Sequence, residues 1–259
     1  MAGGAGIRMP APPGEACAKG SPLQDIFSLL SFSEGGWGSA LAAGTLVTLT
    51  LALTTLPIGI FLGLVVALMA RSRSARARAV ATVFTTVFRG LPELLTLLIV
   101  YYGGQILIQR LMAAMGYEGQ LQINAFLAGV LAFGLVLAAF SSEVWVGALN
   151  TVPRGQYEAG SALGLSRWLT FRLIVFPQLM RAALPGLSNN WLTLLKDTSL
   201  ISTISLVDLM RQTNLAVGAT KQPMVFYLTA CLIYLVLSAG SGLAFTFLER
   251  RANRGYARG

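Results

Sequence analysis

Long apolar stretches dominate the chain, and short polar segments separate them. The first stretch, 39–69, is almost wholly apolar, and a membrane-spanning helix needs about 20 such residues. Inside it, Pro57 and the pair Gly59 and Gly63 indicate a kink and close contact with another helix, although simple bending without a partner explains them equally well. Together with four later stretches, the pattern predicts five spans at 39–69, 91–113, 124–149, 181–206 and 224–248.

The stretch 79–113 is too long for one span and too short for two. As a single straight helix it would measure roughly 52 Å, whereas the hydrocarbon core of a bilayer is about 30 Å thick. Arg89, Gly90 and Pro92 interrupt the stretch, and proline is favoured in the first turn of a helix. The sequence therefore predicts an interfacial helix at 79–90, followed by the second span.

The remaining segments are more polar and predict the domain boundaries. Residues 1–36 are rich in Gly, Ala, Pro and Ser and lack the apolar core of a signal peptide, so they predict a polar tail. The mixed segment 150–178 predicts a long loop between the third and fourth spans. A transmembrane domain at 37–251 and a short tail at 252–259 complete the organisation.

Composition supports a membrane protein and excludes other classes. Hydrophobic residues make up 55% and charged residues only 11% of the chain, whereas soluble domains carry roughly 25% charged residues. The net charge of +9 is not accompanied by a basic helix with interleaved aromatic residues, so the sequence does not predict nucleic-acid binding.

The basic residues predict the orientation in the membrane. Arg71, Arg73, Arg76 and Arg78 follow the first span directly, and most of the 19 Lys and Arg residues fall on the same side of the predicted membrane. Positive charge accumulates on the cytoplasmic side. The prediction is an all-α, multi-pass protein with its N-terminus outside and its C-terminus in the cytoplasm.

Several chemistries are missing from the sequence. The chain has no histidine, which excludes His-based metal sites and histidine-dependent nucleophilic catalysis. None of Lys19, Lys196 and Lys221 follows a glycine, so the chain has no phosphate-binding P-loop. We therefore expect no catalytic residue, metal or cofactor in this chain, and an ATP-driven function would need a separate ATPase chain.

The 150–178 loop has the signals of two short helices joined by a bend. Gly164 can end the first helix with a positive φ, Ser166 can cap the second, and Pro177 suits the start of the following span. Such a shape would fit a groove of a soluble partner, although an ordinary amphipathic loop is the alternative.

The same loop carries a spaced motif. Its pattern is Glu-Ala-Ala, three residues, Gly, nine residues, and Ile-x-Leu-Pro, with Gly160 here in place of the second Ala and Phe176 in place of Leu. This pattern resembles the permeases of binding-protein-dependent ABC importers. The resemblance implies that the matching residues couple the permease to its ATPase: Glu158, Ala159, Gly160, Gly164, Ile174 and Pro177.

The resemblance extends from about Thr45 to Arg251. The segments FRGLPELLTLLIVYYGG, SSEVWVGAL and NNWLTLLKDTSL are similar to the polar amino acid branch, above all to histidine/lysine-arginine-ornithine and opine (octopine, nopaline) permeases. This implies an alternating-access permease of the bacterial inner membrane, surrounded by lipid, that imports a polar, cationic amino acid or opine. The implied partners are a sister permease chain or a second copy, two ATPase subunits that carry ATP and Mg, and a periplasmic substrate-binding protein.

The fourth span holds the candidate substrate path. A charge inside a bilayer costs about 2.5–3.5 kcal/mol on insertion scales and points to function. Lys196 and Asp197 could bind the carboxylate and the ammonium of an amino acid, while a structural pair that packs against the partner permease is the alternative. The polar residues around them complete the predicted path: Asn189, Asn190, Thr193 and Ser199.

Two other carboxylates lie in apolar stretches. Glu143 in the third span could face a cationic substrate or pair with Arg89 or Arg181, and we include it in the substrate path. Glu93, in the first turn of the second span, is interpreted as a residue that interacts with the helix dipole.

A stand-alone channel or secondary transporter would also lack a P-loop. The spacing from Glu158 to Pro177 favours the importer, because a channel has no need for such a loop.

Overall fold

The computed structural model describes residues 22–33, 35–116, 122–153 and 155–253. Over these residues the chain is helical and contains no strand, which confirms the all-α class. The helices are α1 (Pro22–Leu29), α2 (Gly38–Ala70), α3 (Ala75–Gly90), α4 (Glu93–Leu98), α5 (Gly104–Ala114), α6 (Ala125–Thr151), α7 (Gly155–Ala162), α8 (Arg167–Thr170), α9 (Phe176–Asp197), α10 (Leu209–Thr220) and α11 (Pro223–Asn253).

Four helical segments of the described chain are long and apolar enough to cross a membrane. They are α2, the segment Glu93–Ala114 (which contains α4 and α5), α6, and α11. In that order they correspond to the first, second, third and fifth predicted spans. The fourth predicted span, 181–206, is occupied by α9 and a 3₁₀ helix, Thr198–Ile204. Because α9 is rich in polar residues it does not reach the same apolar character, and the five-span count stays a prediction.

Several segments differ from their predicted boundaries: α9 begins at Phe176 and not at 181, and α11 ends at Asn253 and not at 248. The predicted interfacial helix, 79–90, begins earlier, since Ser74 caps α3 by accepting a hydrogen bond from the Ala77 amide at 3.5 Å. A short helix, α1, lies within the predicted polar tail. Its apolar end packs, through Leu29 and Leu30, near the start of α10 and α11, because burial of these leucines offsets the cost of ordering the chain. The first 21 residues of that tail lie outside the described residues.

The centre of the fold is the contact between α2 and α6. Gly59 and Gly63 of α2 are buried, and a Cβ atom on Gly63 would lie 2.7 Å from the Ser141 Cβ. The Trp145 indole donates a hydrogen bond from Nε1 to the Ile60 carbonyl at 3.1 Å. The predicted close helix contact is confirmed, and its partner is α6.

Replacing Gly63 with leucine should lower the stability of the permease. A side chain at this position must push α2 away from α6, and overpacking of this kind costs about 1–3 kcal/mol. The measurement is the thermal unfolding midpoint in detergent. Gly147→Leu is the matched control, because Gly147 lies on α6 at a position where an added Cβ atom would have no neighbour within 4 Å. Equal midpoints for the two variants would contradict the proposed packing.

A wide π-helical turn, Phe171–Val175, joins α8 to α9. The second short helix of the 150–178 loop is therefore continuous with the helix that follows. Pro177 explains the wide turn, because it has no N–H to donate to the carbonyl four residues earlier. The loop is thus connected to α9 through continuous helical structure.

Candidate functional site

A pocket of about 110 Å³ of water-accessible space lies between α6 and α9. The two helices pack along one another, and the Asn190 side chain donates a hydrogen bond from Nδ2 to the Ser141 hydroxyl at 3.3 Å. The residues that line the pocket are Phe133, Val136, Leu137 and Phe140 of α6, and Asn189, Asn190, Thr193, Leu194 and Asp197 of α9.

Helical spacing explains this arrangement. On each helix the lining residues follow one another at intervals of one or three, so they share one face. The face of α6 is apolar, whereas that of α9 carries amides, a hydroxyl and a carboxylate. The pocket therefore has one wall suited to methylene groups and one suited to polar groups.

Asp197 lies in a charged environment at one end of the pocket. Its carboxylate is within electrostatic range of both Glu93 and Lys196. Glu93 begins α4 and is half-buried. The sequence interpretation, a helix-dipole residue, missed this proximity to Asp197. The available signal was a carboxylate in an otherwise apolar span.

The structure separates the predicted path residues into two groups. Asn189, Asn190, Thr193 and Asp197 line the pocket. Lys196 is exposed and Ser199 is half-buried in the 3₁₀ helix, and both lie outside the lining residues. Lys196 and Asp197 diverge because successive residues of a helix point about 100° apart.

Glu143 forms an ion pair with Arg89. The Arg89 Nη1 lies 3.1 Å from the Glu143 Oε1. Arg181, the other partner considered, donates instead from Nε to the Ala252 carbonyl at 3.0 Å. The Arg89 guanidinium carbon also lies 5.7 Å from the centre of the Phe140 ring, so the ion pair adjoins the wall of the pocket.

The 150–178 loop folds into the predicted bend. Gly164 has φ +74°, the Leu165 amide donates to the Gly160 carbonyl at 2.9 Å, and the Gly164 amide donates to the Ser161 carbonyl at 3.0 Å. These two bonds form a Schellman motif that ends α7. The Ser166 hydroxyl then caps α8 by accepting from the Leu169 amide at 3.3 Å. Both capping predictions are confirmed.

Gly160 is the point where α7 meets α8. It is buried, and a Cβ atom would lie 3.0 Å from the Thr170 Cβ and still closer to the rest of that side chain. This close approach gives a physical reason for glycine where the family pattern has alanine.

The other motif residues of the loop divide into exposed and half-buried positions. Glu158 and Ala159 are exposed, Ile174 is half-buried in the π-helical turn, and Pro177 is exposed near the start of α9. An open cavity of about 700 Å³ lies beside the bend, lined by Tyr157, Glu158, Ser161, Arg167 and Thr170. The loop thus presents a concave polar surface on the outside of the molecule.

The chain is similar to known proteins along most of its length. The chain is similar to the octopine transport system permease protein OccQ of Rhizobium meliloti, with 42% identity over 89% of this chain and 98% of that protein. It is also similar to the histidine/lysine/arginine/ornithine transport system permease protein HisQ of Escherichia coli (strain K12), with 37% identity over 86% of this chain and 97% of that protein.

A solved structure gives the same relationship at the level of the fold. In the crystal structure of an amino acid ABC transporter with histidines, one chain superposes with a TM-score of 0.69 at 29% identity, covering 83% of this chain and 95% of that chain. The family described as binding-protein-dependent transport system inner membrane component matches residues 59–254. The chain therefore belongs to this family of inner membrane permeases of ABC importers.

Proposed function

We propose that the chain is the permease subunit of an ATP-driven, binding-protein-dependent importer of a polar, cationic amino acid or opine, and that it works by alternating access. The observation that carries the proposal is the pocket between α6 and α9, where four polar side chains face an apolar wall. The relatives named above, one for octopine and one for histidine, lysine, arginine and ornithine, support the same substrate class.

The charge at the pocket favours a cationic substrate. Asp197 lines the pocket and Glu93 lies within electrostatic range of it. A carboxylate forms strong, charge-assisted hydrogen bonds with an ammonium or a guanidinium group. In this proposal, Asp197 binds a substrate cation while Phe133 and Phe140 contact the methylene groups.

The remaining polar residues extend the proposed path. Asn189, Asn190 and Thr193 supply hydrogen bonds inside the pocket. Lys196 and Ser199 are close to the lining residues in sequence and form its edge, where the ammonium of Lys196 attracts the substrate carboxylate.

The 150–178 loop is the proposed contact with the ATPase. Glu158 and Ala159 are exposed beside the open cavity, and the bend holds them in a fixed relation to α9. The proposed assembly contains a sister permease chain or a second copy of this one, two ATPase subunits that bind ATP and Mg, and a periplasmic substrate-binding protein.

The test is transport by the purified complex in proteoliposomes. The permease is co-expressed with its proposed ATPase and sister chain, and uptake of radiolabelled arginine is measured with the binding protein present. We expect uptake only when ATP and Mg are supplied. Uptake that proceeds equally without ATP would support a stand-alone transporter and overturn the proposal.

The proposed orientation, with the N-terminus outside and the C-terminus in the cytoplasm, makes a separate prediction. In a chain with Cys17→Ser and Cys231→Ser, we expect an impermeant thiol reagent added to intact cells to label Gln222→Cys but not Ser74→Cys. Both positions are exposed, so sidedness decides the result. The reverse labelling pattern would refute the orientation.

A further inference from the structure

Four arginines surround the turn between α2 and the first turn of α3, and two of them hold the turn in a fixed shape. The Arg71 guanidinium donates a hydrogen bond to the Asn150 side chain near the end of α6. The Arg78 Nη1 atom donates to the carbonyls of Ser72 and Arg73, at 3.0 Å in each case. The turn is therefore folded onto its own backbone and tied to α6.

Arg73 and Arg76 are the two arginines whose guanidinium groups do not build the turn. Both residues are exposed, and the ion pair found within the described part of the chain joins two other residues, Arg89 and Glu143. The first turn of α3 contains no acidic residue, although the N-terminus of a helix is the positive end of its dipole. Positive charge thus accumulates here without an acidic partner, and an external anion would offset it.

An apolar groove of about 520 Å³ begins one turn beyond Arg76 on α3. Val80, Val83 and Val87 follow one another at helical intervals and share one face, and Arg76, four residues before Val80, lies on the same face. The complete lining is Ala79, Val80, Val83, Phe84, Val87 and Phe88. One face of α3 therefore carries a cation at its start and an apolar surface along the rest of its length.

The length of this face matches one leaflet of a bilayer. From Arg76 to Val87 the helix rises by about 16 Å, and the hydrocarbon layer of one leaflet is about 15 Å thick. Helix α3 starts at the turn that follows the membrane-spanning helix α2, and its last turn contacts α6 at Glu143, inside that helix. The arginines thus lie at the level of the headgroups, and the valines lie at the depth of the acyl chains.

We propose that this face of α3 binds an anionic phospholipid. The lipid phosphate accepts charge-assisted hydrogen bonds from Arg73 and Arg76, and one acyl chain lies along Val80, Val83 and Val87. Arginine clusters directly beside a membrane-spanning helix recognise anionic headgroups. The charge favours a lipid over a second protein chain, because a lipid presents an anion and a hydrocarbon chain in the order in which α3 presents the arginines and the valines.

Contact quenching by brominated lipids tests the site. The reporter is a bimane on Thr86→Cys, an exposed position beside the groove, in the full permease complex that also carries Cys17→Ser and Cys231→Ser. The complex is reconstituted with equal fractions of brominated phosphatidylglycerol or brominated phosphatidylcholine, and the quenching gives the relative binding of the two lipids. We expect a preference of about tenfold for phosphatidylglycerol, because each arginine near a membrane surface favours anionic lipid.

Matched variants separate specific binding from the general effect of positive charge. Arg73→Gln with Arg76→Gln should bring the two lipids to within about twofold of equal binding. Arg250→Gln with Arg251→Gln removes two exposed cations near the end of α11 and should leave the preference at Thr86→Cys unchanged.

Three outcomes would overturn the lipid site. They are equal quenching by both lipids in the complex with its arginines intact, a full preference after Arg73→Gln with Arg76→Gln, and no quenching by either lipid, which would show that a protein chain covers this face. The assay uses neither substrate nor ATP, so a failure of ATP-driven uptake would count against the proposed function alone.

Discussion

Asp197→Asn is expected to lower ATP-driven uptake of arginine by about 100-fold. The asparagine keeps the shape of the side chain but removes the negative charge that we assign to the substrate cation. Loss of one partner from a desolvated charge pair costs about 2–5 kcal/mol, and every 1.4 kcal/mol corresponds to a factor of ten. The measurement is initial uptake in proteoliposomes at equal amounts of assembled complex.

Two further variants separate substrate binding from packing. Glu249→Gln removes a carboxylate near the end of α11, outside the pocket lining, and should transport normally. The double variant Lys196→Leu with Asp197→Leu should assemble with its ATPase and fail to transport. If that double variant imports arginine well, Lys196 and Asp197 serve packing and the assigned site is wrong.

Gly164→Val is expected to lower uptake by at least about tenfold while the permease still inserts in the membrane. Gly164 has φ +74°, and a β-branched residue held in such a conformation costs on the order of 1–3 kcal/mol. The strain would open the Schellman motif and move α7 away from α8. The rates of ATP hydrolysis and of uptake, measured on the same proteoliposomes, should no longer change together.

Gly155→Val is the matched control for this effect. Gly155 begins α7 in the same loop, and an added Cβ atom would meet open space there, as it would at Gly164. Unlike Gly164, Gly155 does not have a positive φ. We expect much smaller losses from this variant. Wild-type uptake by Gly164→Val, or equal losses from both variants, would contradict a role for the bend in coupling.

Local signals in the sequence were sufficient for the long helices α2 and α6 and for the bend of the loop. The apolar length of α2 and α6 predicted two helices within a residue or two of their observed ends. Gly164 and Ser166 predicted the bend because a positive φ and an N-cap depend on the residue itself and its near neighbours. Of the six polar residues that the sequence analysis placed in the substrate path on the fourth span, Asn189, Asn190, Thr193 and Asp197 line the pocket, whereas Lys196 and Ser199 do not.

Contacts between distant segments could not be derived in the same way. Glu93 interacts electrostatically with Asp197 because α4 packs against α6 and against the 3₁₀ helix that follows α9, and nothing in the local sequence records that approach. The choice of Arg89 over Arg181 as the partner of Glu143 depends on the packing of α3 against α6. The wide turn before α9 likewise reflects how the chain accommodates Pro177, whereas the sequence indicated only that proline suits a helix start.

Substrate protection of a cysteine in the pocket tests whether the pocket between α6 and α9 binds the substrate. In the assembled complex with Cys17→Ser and Cys231→Ser, the rate of modification of Thr193→Cys is measured with and without arginine, and Ser74→Cys serves as the control outside the pocket. We expect arginine to slow modification of Thr193→Cys in a saturable way and glutamate to have no effect, while modification of Ser74→Cys is unaffected by either. Modification of Thr193→Cys at the same rate in the presence of saturating arginine, in a complex that transports arginine, would contradict the assignment of this pocket to the substrate.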